Sequence, residues 1–315
     1  MNQDTRVVIV GSLNLDLIVQ VARLPQRGET LPGRDFLVLP GGKGANQACA
    51  VGRLARPGAA AMIGCVGQDG YGQQLLESLR AAGVNHSRVR ATTEATTGIA
   101  LILVEATGQN QIVVVAGAND CLQPAEVTEG LTALGGSHVL LQLETPLDTV
   151  TAAAQHAKAL GMTVILDPAP ARRLSAALLQ CVDILTPNES EALALIGASG
   201  NHIAMEEAAP VARQLLALGP RQVILKLGDQ GAFLDDGRGG CHFPARAVVA
   251  ADTTAAGDCF NGALATALAE AATLDDAIRF ANVAASIAIT RPGAQASLPE
   301  RREVEQALAG SSLRL

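Results

Sequence analysis

Two short segments of the sequence carry residue types suited to holding an anion. The first is Gly41-Gly42-Lys43-Gly44-Ala45-Asn46. It follows an extended stretch and precedes apolar residues at Ala48, Val51, Leu54 and Ala55, the spacing of one helix face. Glycines there let a ligand approach the backbone closely, and a helix N-terminus offers unpaired N–H donors. An ordinary turn ahead of a helix has the same composition. The segment has neither the GxxxxGK[ST] spacing of a Walker A loop nor the GxGxxG of a dinucleotide fold. The second segment is Asp252-Thr253-Thr254-Ala255-Ala256-Gly257-Asp258, leading into a helical stretch that spans Ala256–Ala272. Small residues at that position leave consecutive N–H groups free to cradle an anion. Asp258 can then take the proton of an attacking hydroxyl while those groups hold a phosphoryl group in transfer. It can equally be a helix cap.

Two more segments are open in the same way. In Thr186-Pro187-Asn188-Glu189-Ser190-Glu191, Asn188 and Glu191 have the spacing of a capping box. The functional alternative puts Asn188 near nucleotide phosphates and has Glu191 orient magnesium through water. Lys226-Leu227-Gly228-Asp229-Gln230-Gly231, at a strand end, is either a turn or a nucleotide-binding loop. His86, His138, His156, His202 and His242 do not cluster at metal-ligand spacings, and no HExxH or Ser/His/Asp arrangement is visible.

These residues need elements to position them. Val7 to Val10 is a continuous β-branched run that reads as a buried strand. From Ser12 to Leu17 the pattern alternates, so in an extended chain Ser12, Asn14 and Asp16 share one face. Arg34–Leu39 reads as half-exposed sheet. So does a hairpin of Gly98–Val104 and Gln111–Ala116 turning through Thr107, Gly108, Gln109 and Asn110. After about residue 120 helical stretches (Ala125–Leu134, Leu147–Leu160, Glu189–Ile196, Ala208–Leu218, Ala256–Ala272, Leu274–Thr290) alternate with short apolar strands (Val139–Leu143, Thr163–Leu166, Ile184–Leu185, Val223–Leu227). Such alternation predicts an α/β fold with a mostly parallel sheet and helices on both faces. Ligands of such sheets bind at the carboxyl ends of the strands. The polar residues there are Asn14, Asp16, Glu144, Asp167, Asn188, Gly228 and the stretch from Asp252 to Asp258.

Composition narrows the function classes. The chain has 315 residues, 49% of them hydrophobic, a mean hydropathy of +0.27 and a net charge of -7. A mildly acidic chain with no basic block, one Tyr, five Phe and no Trp is poorly suited to nucleic acid. The apolar run near the N-terminus stops at Gly11, too short for a membrane span or signal-peptide core, so a cytoplasmic protein is expected. The six cysteines contain no CxxC pair and read as free, mostly buried small hydrophobes.

The GGKGAN and DTTAAGD segments together resemble the two signatures of the phosphofructokinase-B, or ribokinase, family of carbohydrate kinases. The order of the intervening TPNESE and glycine-loop segments resembles that family too, and the resemblance covers essentially the whole chain. The segments Gly11–Asp16, Pro40–Ala48, Leu141–Glu144, Asp167–Ala171 and Thr290–Gln295 look most like members that act on ribose.

The resemblance implies one catalytic domain over residues 1–315, a three-layer α/β/α fold. A small β lid would form from about 14–40 and 97–118. It implies ATP-dependent phosphorylation of the terminal (O5) hydroxyl of D-ribose. Asn14, Asp16, Gly42, Lys43, Asn46 and Glu144 would hold the sugar, Asp258 would be the base, and Ala256 and Gly257 would form an anion hole. Asn188, Lys226, Gly228, Asp229, Gly231, Gly257 and Asn282 would line the ATP site. Magnesium would accompany ATP near Glu191. Potassium would sit among Asp252, Thr254, Ala288, Arg291, Gly293 and Ser297. The family often has Thr at 226, Ser at 229 and Lys at 292, where this chain has Lys226, Asp229 and Pro292. A homodimer through the lid is expected, since a small sheet otherwise leaves an apolar face and edges exposed. The competing readings are a deoxyribokinase, fructokinase or adenosine kinase of the same family, or a non-catalytic sugar sensor on the same fold.

Overall fold

The computed structural model describes residues 6–105 and 109–310. Among the described residues thirteen strands form two sheets. The larger contains β1 (Val7–Val10), β4 (Ala60–Gly67), β5 (Asn85–Thr92), β8 (His138–Leu141), β9 (Thr163–Leu166), β10 (Ile184–Leu185), β11 (Gln222–Lys226), β12 (Ala232–Asp235) and β13 (Gly240–Phe243). The smaller contains β2 (Asn14–Val21), β3 (Asp35–Gly41), β6 (Gly98–Glu105) and β7 (Asn110–Val115). The helices are α1 (Lys43–Leu54), α2 (Gly70–Ala81), α3 (Pro124–Leu134), α4 (Leu147–Ala159), α5 (Ala176–Leu179), α6 (Glu189–Leu195), α7 (Met205–Leu216), α8 (Ala256–Ala269), α9 (Leu274–Ala288) and α10 (Arg301–Gly310).

The large sheet runs β13-β12-β11-β10-β9-β8-β1-β4-β5. It is parallel from β11 to β5, and the β12–β13 hairpin at one edge is antiparallel. Because alternate strand residues point to opposite faces, the apolar run Val7–Val10 serves two cores. Val7 and Ile9 pack with α1, α2, α8, α9 and α10; Val8 and Val10 pack with α3, α4, α5, α6 and α7. Strand order reverses at β1, whose neighbours are β4 and β8. That reversal opens the crevice where open α/β sheets bind ligands.

The small sheet has the order β3-β2-β6-β7, with β2 parallel to β6. Its register sets Asn14 opposite Gly41 and Asp16 opposite Leu39. Leu15, Leu17, Val38 and Ile99 join the core of the large sheet. Phe36, Leu37, Leu101 and the run Ile112–Val115 are exposed, Phe36 and Val113 each by 61%.

The strands and helices predicted from periodicity all form, with ends that coincide or shift by up to three residues, except that the strand read over Ser12–Leu17 forms as Asn14–Val21. The part of the expected hairpin turn at Thr107 and Gly108 lies outside the described residues. Elements β4, β5, β12, β13, α2, α5 and α10 come in addition to those read from the sequence. Among the described residues no helix is long and apolar enough to cross a membrane. All six cysteines are free.

Candidate active site

The GGKGAN segment lies directly on the backbone that follows β1. Gly42 has φ +87, and a Cβ there would come 2.6 Å from the Asn14 nitrogen; one on Gly44 would come 2.5 Å from the Ser12 nitrogen. This close approach is what requires glycine. It also corrects one expectation. The first N–H groups of α1 are not open to an anion: Lys43 N–H donates to Glu144 Oε2 (3.1 Å), Gly44 N–H to Ser12 Oγ (3.3 Å) and Ala45 N–H to the Ser12 carbonyl (2.9 Å). The segment instead pins α1, and with it Lys43, Asn46 and Gln47, over the crevice.

The second segment does leave backbone donors open at the start of α8. Ala255 sits in the left-handed region (φ 58, ψ 13) at the start of α8, and non-glycine residues take that conformation at a cost. Ala256 N–H is turned back to the Thr253 carbonyl at 3.2 Å. The N–H groups of Gly257 and Asp258 have no hydrogen-bond partner among the described residues. The open donors are therefore those of Gly257 and Asp258, one residue along from the pair Ala256 and Gly257 expected to form an anion hole. A Cβ on Gly257 would lie 3.3 Å from Lys226 Nζ, so that ammonium stands beside the same donors.

Asp258 is buried at the centre. Its Oδ2 accepts from Asn46 Nδ2 at 2.9 Å and its Oδ1 from Gln47 Nε2 at 3.1 Å. Burial pushes its carboxyl up to about 6; the Lys43 ammonium opposes the rise and Asp167 adds to it. Burial would by itself push Lys43 down, but the carboxylates of Asp258, Asp167, Glu144 and Glu191 together hold its ammonium above the usual range.

On one side of Asp258 lies the acidic lid strand. Burial, then the neighbouring Glu144 and Asp258, push Asp16 up to about 7. The Asp16 carboxylate has no hydrogen-bond or ion-pair partner among the described residues. Asn14 Oδ1 accepts from Asn119 Nδ2 at 2.8 Å, and Glu144 Oε2 accepts from Ser12 Oγ at 2.6 Å. The atoms left over are a carboxylate at Asp16, an amide nitrogen at Asn14 and the second oxygen of Glu144.

On the other side is a cavity of about 830 Å³ lined by Lys43, Asp167, Asn188, Lys226, Gly228, Asp229, Gly231, Gly257, Asp258 and Asn282. Every residue expected to line the ATP site is in this wall. Lys226 Nζ donates to Asp167 Oδ1 at 2.8 Å in a largely buried ion pair. The capping box also forms. Asn188 Oδ1 accepts from Glu191 N–H (2.8 Å), and Glu191 accepts from both nitrogens of Asn188. Capping and pocket lining are thus compatible roles for Asn188. Burial raises the Glu191 carboxyl, with Lys226 opposing.

The segments expected to share a cation do meet. Asp252 Oδ2 accepts from Gly293 N–H at 2.8 Å and Oδ1 from Thr254 N–H at 2.9 Å. The Arg291 guanidinium, however, pairs with Glu303. The Ser297 hydroxyl donates to the Ala294 carbonyl, and the Ala288 carbonyl accepts from Arg291 N–H.

Sequence reasoning gave no role to Gln47, Asn119, Gln142 and Gln295, and none to Asp167 beyond its strand-end position. All are buried, and each reaches a residue named above or another of this group. The strand-end argument that flagged Asp167 applies equally to Gln142, which follows β8.

With this geometry in view, similarity to known proteins is informative. The chain is 40% identical over 299 residues to the ribokinase of Haemophilus influenzae, covering 94% of this chain and 96% of that one. The ribokinase structure from Thermotoga maritima superposes with a TM-score of 0.88 at 38% identity, covering 97% of this chain and 100% of that one. The Arabidopsis thaliana ribokinase, solved with ribose and ATP, superposes with a TM-score of 0.88 at 33% identity over 98% of this chain and 100% of its own. A profile of the pfkB family carbohydrate kinases matches residues 4–301, the span holding the GGKGAN loop, Asp258 and the cavity of about 830 Å³. The chain belongs to the pfkB family of carbohydrate kinases.

Proposed function

We propose that the chain transfers the γ-phosphoryl group of ATP to the O5 hydroxyl of D-ribose, giving ribose 5-phosphate and ADP. The observation that carries this reading is the place of Asp258. It lies between a set of unsatisfied sugar-type partners on the lid side and a cavity with two ammonium groups on the other. Asp16, half-buried and unpaired, gains hydroxyl donors when a sugar enters. The Asn14 nitrogen and Glu144 Oε1 add one donor and one acceptor. Asn46 keeps its second N–H for the sugar while the first holds Asp258.

The O5 hydroxyl donates to Asp258, which takes the proton as the oxygen attacks phosphorus and ADP leaves. The N–H groups of Gly257 and Asp258 and the ammonium groups of Lys226 and Lys43 face the charge spread over the transferring group. Lys226 would meet phosphate where the family often has threonine.

Magnesium suits this wall without a protein cage. Among the described residues no group of three or more His, Cys, Asp or Glu converges as a metal site. Such an ion would be held mainly by phosphates and water, with Asp167 and Glu191 nearby, and would neutralise phosphate charge. The Asp252 carboxylate, which meets the N–H groups of Thr254 and Gly293, would offer its charge to a monovalent ion such as potassium, with Thr254, Ala288, Arg291, Gly293 and Ser297 as the further expected partners. That ion would add a positive field behind the anion hole. The exposed apolar strands of the lid fit a homodimer formed lid to lid. The need for ATP fits the cytoplasm.

The test is a panel of ribose, 2-deoxyribose, fructose and adenosine, each with ATP, magnesium and potassium. Release of ADP and the position of the product phosphate are read for each. Ribose is expected to give the highest kcat/KM and a 5-phosphate. Removing the 2-hydroxyl leaves a buried polar group unpaired, worth about 1–3 kcal/mol, so 2-deoxyribose is expected to be about 5- to 150-fold poorer. Equal handling of the two pentoses would move the reading to a deoxyribokinase. Ribose binding without ADP release would make the chain a sensor.

A further inference from the structure

Gln47 is one helix position past Asn46, fully buried, and has no part in the reading given so far. Its Nε2 lies 3.1 Å from Asp258 Oδ1 and 3.0 Å from Asp167 Oδ2. Its Oε1 accepts from Gln142 Nε2 at 2.6 Å. The orientation of this amide follows from chemistry. An end that meets two carboxylates must be the NH₂ end, since an amide oxygen there would repel both. Both N–H bonds are then committed, one to each carboxylate. The oxygen in turn requires an N–H from Gln142, which fixes that amide as well.

The result is a continuous chain across the site: Gln142 to Gln47, Gln47 to both Asp258 and Asp167, and Asp167 to the Lys226 ammonium in the nucleotide cavity. The partners of Gln47 lie 95, 120 and 211 residues away in sequence. The arrangement therefore exists only in the folded site.

We propose that Gln47 is the positioning residue for the base: it holds Asp258 Oδ1 in a fixed orientation and ties the base to the Lys226–Asp167 pair on the nucleotide side. It does not reach the reacting atoms. Asn46 alone leaves Asp258 free to swing about the remaining bond, and the second amide removes that freedom. Without Gln47, two carboxylates would also face one another across a buried gap with no shared donor, which favours the protonated base. Lys43, Asp16, Lys226 and Glu191 are the other charged groups around the pair. The proposal rests on Asp258 being the proton acceptor.

The experiment compares the parent enzyme with Asp258→Asn, Gln47→Met and Gln142→Met. For each, kcat, the KM values for ribose and ATP, the pH profile and the thermal midpoint are measured. Gln47→Met keeps volume and removes all three side-chain hydrogen bonds of Gln47. It is expected to lower kcat by roughly 10- to 100-fold, the scale of a small misplacement of a catalytic group, with ribose KM within about threefold. The acid limb of its profile is expected to move up by about half a unit or more, because a bond that favours the charged carboxylate is gone. Gln142→Met leaves Gln47 present but takes away the donor that holds its amide oxygen. It is expected to show the same signs at smaller size, and it serves if Gln47→Met does not fold. Unchanged kcat and an unmoved acid limb in the folded variants overturn the proposal. So does a loss falling equally on kcat and ribose affinity. If Asp258→Asn itself turns over normally, the base assignment fails instead, and the two failures are thereby distinguished.

Discussion

Asp258, raised to about 6 by burial, sets the pH at which the base is ready. A carboxylate must be ionised to accept a proton, so activity is expected to fall as pH drops through about 6 and to level off above it. Lys43 is the main group holding this value down, so Lys43→Met should move the acid limb to higher pH as well as weaken binding. An acid limb that stays in place in a folded Lys43→Met protein would remove Lys43 from the base's surroundings. Asp16 gives a second, opposite-looking prediction. Its folded value of about 7 lies above the 3.8 of an unperturbed Asp. A raised carboxyl binds its proton more tightly in the folded state, so its ionisation costs stability, increasingly as pH rises from about 4 to 7. Asp16→Asn is therefore expected to raise the ligand-free thermal midpoint at pH 8 by about 2 °C or more while lowering kcat/KM for ribose. A lower midpoint would show that Asp16 has a stabilising partner. At this scale Asp258 was legible because its surroundings, small residues and a helix start, are local in sequence. Gln47 was not, because each partner that gives it a role is at least 95 residues away.

At the scale of elements, the loop ahead of α1 shows how a glycine signature can be read correctly for place and wrongly for cause. Its glycines do not open N–H groups to a ligand. They let the backbone of Gly42 and Gly44 rest on that of Ser12 and Asn14. Gly42→Ala is accordingly expected to cost about 1–3 kcal/mol from its φ of +87 alone, with more from the clash with Asn14, and to raise the ribose KM. Denaturant unfolding checks the first and kinetics the second. Gly70→Ala, at a position with open space and no positive φ, is the matched control and should be close to neutral. Long strands and helices with clear periodicity were legible, as were both halves of the lid. The edge strand β5, Asn-His-Ser-Arg-Val-Arg-Ala-Thr, was not, since it carries few apolar residues and reads as loop. Strand β4, Ala-Ala-Met-Ile-Gly-Cys-Val-Gly, is buried throughout but is made mostly of small residues and glycines, so it shows neither alternation nor a β-branched run.

At the scale of the whole molecule, two layers of helices bury the large sheet while the lid keeps an apolar surface. Association through that surface predicts a particle of roughly 64 kDa, twice the 32.2 kDa chain. Phe36→Lys combined with Val113→Lys should give the 32.2 kDa species by light scattering. A parent protein already monomeric at micromolar concentration would contradict lid-to-lid pairing. The central claim, that this site phosphorylates ribose with Asp258 as base, is tested most directly by ribose-dependent ADP release in the parent and Asp258→Asn, with ribose binding measured in both. The account predicts turnover in the parent, a fall of roughly 10²- to 10⁴-fold in Asp258→Asn, and ribose binding retained by the variant. Near-parental turnover in the variant, or no ribose-dependent ADP from the parent, would contradict it.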